Sequence, residues 1–469
     1  MTIRSKKIIA FMTAAVLTAT GCSGAGSELS ADDEILIDRI VEEEYDEYIK
    51  PIKKVELETI QTSVFDEKAT ETTAAEQPLP KDEGSVLRIL CRNEDIKNAF
   101  DYMYGEEDLP DGVSVEFVID IELSSDYEYA AFLSDTPNIY EENPIDIIVA
   151  DPDYMQSQIN SEWTLPLSEV GFTEADTEDM FGYTVEMGTS SDGVLKAVCW
   201  QADPGVFAYR RDIAEAVFGN SSPDYIEELL ADYYSLTAEL LAQNGYYMIG
   251  SSAEAYRLYA QNRTSPWIDE NGIINVDGTL KQWADDMYSD VANYYNPNYG
   301  LWTSEWCETF YGQNNVFGIY FPVWGTEGVI KNSGAENGTW GICSPQMPYF
   351  WGGSFICVSS TTDNPALCGE VLKALTCNSE AMEEYALITG DFFCNSRSAM
   401  QRIAENYYSE FFSQNTYAVY LEEAEKISAS YITEYDVMLD ESYMYGMQDY
   451  INGLKSYDVC ENDALGDFL

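Results

Sequence analysis

"GVLKAVCWQADPGVFAYRRDIAEAVFG", Gly193 to Gly219, is the stretch on which the reading of this chain turns. Two apolar segments, "VLKAVCWQ" and "GVFAYRR", flank the break "ADPG" at 202–205, where Pro and Gly interrupt a continuous ladder. The pattern predicts one strand on each side of a turn, then a helix ending at Gly219. Trp200 and Asp203 fall beside the turn, and Arg210 and Arg211 close the second strand in a chain of formal net charge -59. Neighbours on a strand point to opposite sides. One arginine is therefore expected to face a cleft or a buried carboxylate, and the other a surface acid.

Upstream, "SVLRILC" (85–91), "VSVEFVID" (113–120) and "IDIIVAD" (145–151) read as strands, with a helix over Asp95 to Met103. The near-continuous apolar run of the third suits a strand buried on both faces. Strands alternating with helices make the fold class α/β. Downstream, Ser222 and Pro223 open a helix whose apolar stripe runs from Ile226 through Tyr233, Leu240 and Leu241 to a stop at Gly245. "NVFGIYFPVWG" reads as a buried strand running into a turn, and "TWGICSPQMPYFWGGSFICVSS" as two short strands joined by a Pro- and Gly-rich segment. Asn364 and Pro365 cap the next helix, and further helices are expected over Glu380–Leu387, Ala399–Phe412 and Val419–Ala429. No internal repeat is evident.

The chain has 83 Asp/Glu, 24 Lys/Arg and no histidine. The missing histidine excludes Ser-His-Asp and Cys-His catalysis and His-ligated zinc. The acidity argues against nucleic acid and anionic lipid surfaces as partners. Neither a metal-ligand spacing nor a P-loop is present, so no cofactor is expected. Removing Cys22 from ten cysteines leaves nine with no CxxC. Cys343–Cys357 and Cys377–Cys394 are conceivable bridges, yet a dispersed odd set fits buried thiols as well.

The first residues are basic at Arg4, Lys6 and Lys7, then apolar or small from Ile8 to Ala19, then "ATGC". This reads as a secretory signal over 1–21, too short for a comfortable membrane span. Residues 23–84 hold 18 Asp/Glu against 6 Lys/Arg, a linker composition. Within them Leu36, Ile37, Ile40, Val41, Tyr45, Tyr48 and Ile49 recur at helical spacing, either a short stalk helix or a docking helix for a partner. About 385 residues remain from 85 onward, more than one ordinary core, which suggests two domains or lobes.

Cys22 after small residues resembles the bacterial lipobox, which implies lipid modification at that cysteine. Four stretches, in order, resemble the extracellular solute-binding proteins of carbohydrate ABC transporters, family 1, the maltose-binding-protein-like branch: "PIDIIVADPDYM", the opening stretch, "FGIYFPVWG" and "MPYFWGGSFICVSSTTDNPALCGEVLKALTCNSEAMEEYALITGDFFCNS". The chain departs from the family's pattern in its long acidic tether and in Cys199, where a Pro usually precedes the cleft Trp. The resemblance implies a two-lobed periplasmic-binding-protein-like fold with a ligand cleft and hinge between lobes. The first lobe would comprise 85–200 plus 347–397 and the second 201–346 plus 398–469, behind a tether over 22–84. It implies a monomeric, lipid-anchored receptor at the extracytoplasmic face of the membrane. Such a receptor passes a carbohydrate to ABC permease subunits and catalyses nothing. A non-transport sensor or adhesion component, and a carboxylate-pair glycosidase, are the alternatives.

Sugar hydroxyls want fixed donors and acceptors, and sugar C–H faces stack on aromatic planes. Eight of the nine tryptophans fall between 200 and 351. Trp200, Trp302, Trp324 and Trp351 are the expected stacking residues, with Trp306 after them and core packing as the alternative for each. The resemblance implies the polar candidates: Asp153 at the family's acidic loop position after the third strand with Asp151 beside it, Asp203 at a second acidic position in the crossover, and Glu94 and Asp95 after the first strand, where the family often uses polar contacts. Each is otherwise a helix cap or a solvated charge.

Overall fold

A computed structural model describes residues 81–119, 144–269, 271–289, 295 and 300–466. The signal segment, Cys22, the 36–49 stretch and the tether up to residue 80 lie outside the described residues.

Two sheets organise the chain. The first has the order β2-β1-β3-β8-β4 and is built from β1 (Val86–Cys91), β2 (Ser114–Ile119), β3 (Ile147–Ala150), β4 (Ala197–Gln201) and β8 (Ser354–Val358). β1 pairs parallel with β2 and β3, whereas β8 runs antiparallel between β3 and β4. β3 is buried along its whole length, as its unbroken apolar run requires. The second sheet, order β6-β5-β7, is antiparallel and holds β5 (Gly205–Arg210), β6 (Gly318–Pro322) and β7 (Trp340–Cys343). The two strands read around "ADPG" therefore belong to different sheets, and so do the two strands around "SPQMPYFWGG". Each sheet carries its own helices, and the protein is a two-lobed α/β structure.

The passages between the sheets lie side by side. Gly205 N–H donates to the Tyr349 carbonyl (2.7 Å) and Trp351 N–H to the Asp203 carbonyl (3.1 Å). A third segment joins them where Ala202 N–H donates to the Phe393 carbonyl (2.9 Å). Gln261 fixes the second passage with both ends of its amide, donating to the Phe350 carbonyl (2.9 Å) and accepting from the Phe350 N–H (2.8 Å).

Several local expectations change. Ser222 stands at the N-cap before Pro223, but its side chain makes no cap hydrogen bond. The single long helix is two, Pro223–Asp232 and Tyr234–Gln243, broken where Tyr233 leaves helical dihedrals (φ -135, ψ 26). The break rephases the stripe. Thr237, Ala238 and Leu241 pack inward, while Tyr233 and Leu240 are exposed. The helix expected to reach Phe412 stops at Asn406, and the one expected to reach Ala429 stops at Ala424. The first stop lets the chain turn back so that Gln414 clamps Ile342 of β7 through both its N–H (3.1 Å) and its carbonyl (2.8 Å). Asn364 turns its amide toward the Val86 carbonyl (3.1 Å) and leaves its helix to be capped by Asp82, which accepts from Ala366 N–H (2.8 Å). Asp82 and Glu83, placed in the tether by composition, are thus bound to the first lobe.

Of the two arginines, Arg210 meets the expectation of a surface acid, since Asp212 is exposed, and Arg211, which opens helix Arg211–Phe218 instead of closing the strand, does not meet the other. Arg210 forms a two-point pair with Asp212 (2.7 and 2.6 Å). Arg211 donates to the carbonyls of Ser221 (2.8 Å), Trp340 (3.2 Å) and Phe412 (3.0 Å) and to Gln414 (2.7 Å), tying strands to helices instead of facing a cleft or a carboxylate. All nine described cysteines are free thiols. No described helix is long and apolar enough to cross a membrane.

Gly353 shows how tightly the passages fit. Its φ is +98, and a Cβ there would stand 2.8 Å from the Gln201 carbonyl oxygen. Gly353→Ala is expected to cost about 1–3 kcal/mol, read as a lower denaturant midpoint. Gly182→Ala, which meets nothing within 4 Å, should leave that midpoint in place.

Candidate ligand-binding site

The first lobe contributes the ends of its parallel strands. The loop after β1 carries Arg92, Glu94 and Asp95, and the loop after β3 carries Asp151 and Asp153. Crevices outside the carboxyl ends of such strands are where open α/β sheets bind ligands. Arg92 donates to Asp151 (3.0 Å). Asp153, in the first turn of helix Pro152–Ile159, pairs with Arg257 (3.3 Å) of helix Ser252–Gln261 in the second lobe.

The second lobe contributes indoles. Trp324 follows β6 directly and donates its Nε1–H to the Trp351 carbonyl (2.8 Å). Trp302 and Trp324 lie nearly parallel, 15° apart with centroids 6.1 Å distant, and Trp351 stands steeply to both, at 71° and 81°. Trp302 and Trp324 are half-buried; Trp351 is 7% exposed, with the Arg257 guanidinium over its ring at 5.1 Å. Such edge-to-face pairs contribute about 0.5–1.5 kcal/mol each beyond area burial. Beneath them Trp306 packs against Trp302 (5.2 Å) and donates to the buried carboxylate of Glu254 (2.6 Å).

Asp203 sits where the passages meet the indoles. It is 1% exposed, and its Oδ1 has no hydrogen-bond partner among the described residues. Burial pushes its carboxyl well above the usual range, opposed by the backbone N–H groups of Trp324 and Gly353 and reinforced by the charge of Asp391. Asp391 and Asp95 reach the surface, yet both are raised as well, first because neighbouring atoms crowd out part of their hydration; the charge of Asp391 adds to the rise at Asp95, while Lys331 pulls Asp391 down.

A family model of bacterial extracellular solute-binding proteins matches residues 125–407, well over half of the chain. The chain belongs to this family. Against curated protein sequences it finds no match. Solved structures share the fold. One, an extracellular solute-binding protein of family 1, superposes with a TM-score of 0.70 at 16% identity, over 82% of this chain and 98% of that one. A cyclo/maltodextrin-binding protein complexed with maltotetraose gives 0.60 at 13%, over 82% and 97%. An ABC transporter associated binding protein from B. animalis subsp. lactis Bl-04, in complex with β-1,6-galactobiose, gives 0.61 at 12%, over 82% and 96%.

Within this solute-binding protein, Trp302, Trp324, Trp351 and Asp203 come together. Asp153 reaches them through Arg257, whereas Asp151 pairs with Arg92 of its own lobe. Glu94 and Asp95 are exposed at the start of helix Asp95–Met103, where Glu94 is the N-cap residue without a side-chain cap bond. Trp200 lies apart from the indoles. It occupies a register shift between Cys199 and Gln201, 1% exposed, with its ring on Phe392 at 5.0 Å. Arg257, Asp391 and Glu254 were not singled out from the sequence. Arg257 is one of few cations in an acidic chain, a signal that pointed instead to Arg210 and Arg211. Glu254 carried the helix-start signature "SSAE", Ser251 to Glu254.

Burial pushes Glu254 from an ordinary 4.5 up to about 8, against the pull of Trp306 and the backbone donors of Gly250 and Ser251. A carboxyl raised in the folded state supports stability fully below its unfolded value and loses that contribution as pH climbs through its folded value. The melting temperature of Glu254→Gln, which cannot ionise, should therefore fall less between pH 4.5 and 8 than that of the native chain; parallel slopes would contradict the assignment.

Proposed function

We propose that this solute-binding protein is a lipid-anchored receptor that captures a carbohydrate, an oligosaccharide, between its lobes and delivers it to an ABC importer. The observation that carries the reading is the meeting of three indoles with a buried carboxyl oxygen that has no hydrogen-bond partner among the described residues, beside the passages joining the lobes. Indole faces bury sugar C–H surface without breaking hydrogen bonds. The Asp203 carboxyl can accept from a sugar hydroxyl whether neutral or ionised, and its neutral form can also donate to one. The complexes of like fold with maltotetraose and β-1,6-galactobiose support the same class of ligand.

The ring spacing selects a mode of stacking. A sugar ring held between two planes needs two contacts of about 3.5–4 Å. Trp302 and Trp324, with centroids only 6.1 Å apart, leave no room for it. The sugar lies on an outer face, and Trp351 becomes available as Arg257 moves. The remaining parts follow the same reading. Cys22 carries the lipid, the tether runs from there to the lobe-bound Asp82, and 82–200 plus 347–397 move as one lobe against 201–346 plus 398–469 in a monomer, with hinge closure around the solute.

A melting-temperature screen with maltotetraose, β-1,6-galactobiose, a wider glycan panel and a peptide panel tests this directly. A ligand at 100 times its Kd stabilises the fold by about 2.7 kcal/mol. A glycan should raise the midpoint and peptides should not; the reverse overturns the carbohydrate reading. With that glycan, Trp324→Ala should weaken affinity about tenfold, the loss of one stacking face.

A further inference from the structure

Asp153 and Arg257 belong to opposite lobes. Helix Pro152–Ile159 follows β3 and packs on β8, and helix Ser252–Gln261 packs on β6. Arg257 Nη2 and Asp153 Oδ2 are 3.3 Å apart. Each partner is held before the pair forms. Asp153 sits in the first turn of its helix, where the N-terminal dipole favours a carboxylate. The Arg257 guanidinium rests over the Trp351 ring at 5.1 Å, an attraction independent of the first lobe. Trp351 is itself anchored to the passage by its N–H to the Asp203 carbonyl and by the Trp324 indole on its own carbonyl. Prior seating of both groups reduces the side-chain entropy that usually erodes an exposed pair.

We propose that the Arg257–Asp153 pair is an electrostatic latch that holds the two lobes together in the ligand-free protein. It deepens the hinge-closure reading given above, but requires no assumption about which solute binds. The side chains are 30% and 42% exposed, so the latch is open to salt.

The test is a distance measurement between spin labels introduced through unnatural amino acids at exposed Glu239 in the second lobe and Glu380 in the first, in the full chain without ligand. Arg257→Gln and Asp153→Asn should each shift the population toward longer distances, by roughly two- to five-fold in the ratio of open to closed, the range for a partly exposed pair. The double variant should match either single one. The charge-swapped D153R/R257D, which keeps the attraction but loses both seats, should recover the short distance in part, above either single variant and below the native chain. High salt should lengthen the distance in the native chain but not in Arg257→Gln. An unchanged distribution in both single variants overturns the latch, as does an effect of Arg257→Gln that Asp153→Asn fails to reproduce, or single effects that simply add. If the latch fails while a glycan still raises the melting temperature, the carbohydrate reading stands without it.

Discussion

The structure depends on one constraint: separate stretches of backbone must run side by side between two sheets. The hydrogen bonds from Gly205 to Tyr349, from Trp351 to Asp203 and from Ala202 to Phe393 meet that constraint. They also decide which residues can stand there. A Cβ on Gly205 would penetrate the Tyr349 ring, and one on Gly353 would strike the Gln201 carbonyl. Bonding the passages to each other satisfies backbone groups that the lobes leave behind. The same bonding brings Asp203 and Trp351 to one place, so the proposed binding chemistry would be a by-product of how the chain crosses.

Around that place the rare cations are already engaged. Arg92 is bonded to Asp151, Arg257 to Asp153 and Lys331 to Glu327. In a chain with 83 acids and 24 bases, the carboxylates near the passages outnumber the cations that meet them. Asp203 is raised mainly by burial, with the charge of Asp391 adding to it, and Asp391 is raised by partial loss of hydration at the surface. A neutral solute rich in hydroxyl donors suits such a surface better than an anion, which would add charge to charge. Farther out, the second lobe is held by another ionic centre. Arg263 bonds Asp436 and Asp440, and Asp440 also accepts from Tyr256 (2.8 Å) and Trp267 (2.8 Å). That centre ties helix Asp436–Gly446 to the helix that carries Arg257.

What was legible in the sequence followed from local pattern. The "ADPG" break between two apolar runs marked two strands on either side of a turn, and it was the family resemblance that implied a crossing between lobes there. The unbroken "IDIIVAD" run marked a strand with both faces covered. The indoles at 302, 324 and 351 were legible as a group because they stand beside turn residues. What was not legible depended on partners far away. The break at Tyr233 brings Tyr234 to Tyr320, 86 positions on, and Gln414 ends a helix by clamping a strand 72 residues earlier. Trp200 looked like its fellow indoles, and only the bulge at Cys199–Gln201 turns it onto Phe392. Arg257 has an ordinary helical setting, and its meaning appears only when Asp153 and Trp351 converge on it from other segments.

The central claim is that a sugar is held at the meeting of the indoles, Asp203 and the passages, touching both lobes. A crystal structure of the chain saturated with its best-stabilising glycan tests that claim most directly. The account predicts a sugar ring on an outer face of Trp302 or Trp324, with hydroxyls bonded to Asp203 and to residues of the β1 or β3 loops. A glycan lodged on the outer surface of one lobe, with the indoles and Asp203 untouched, would contradict it.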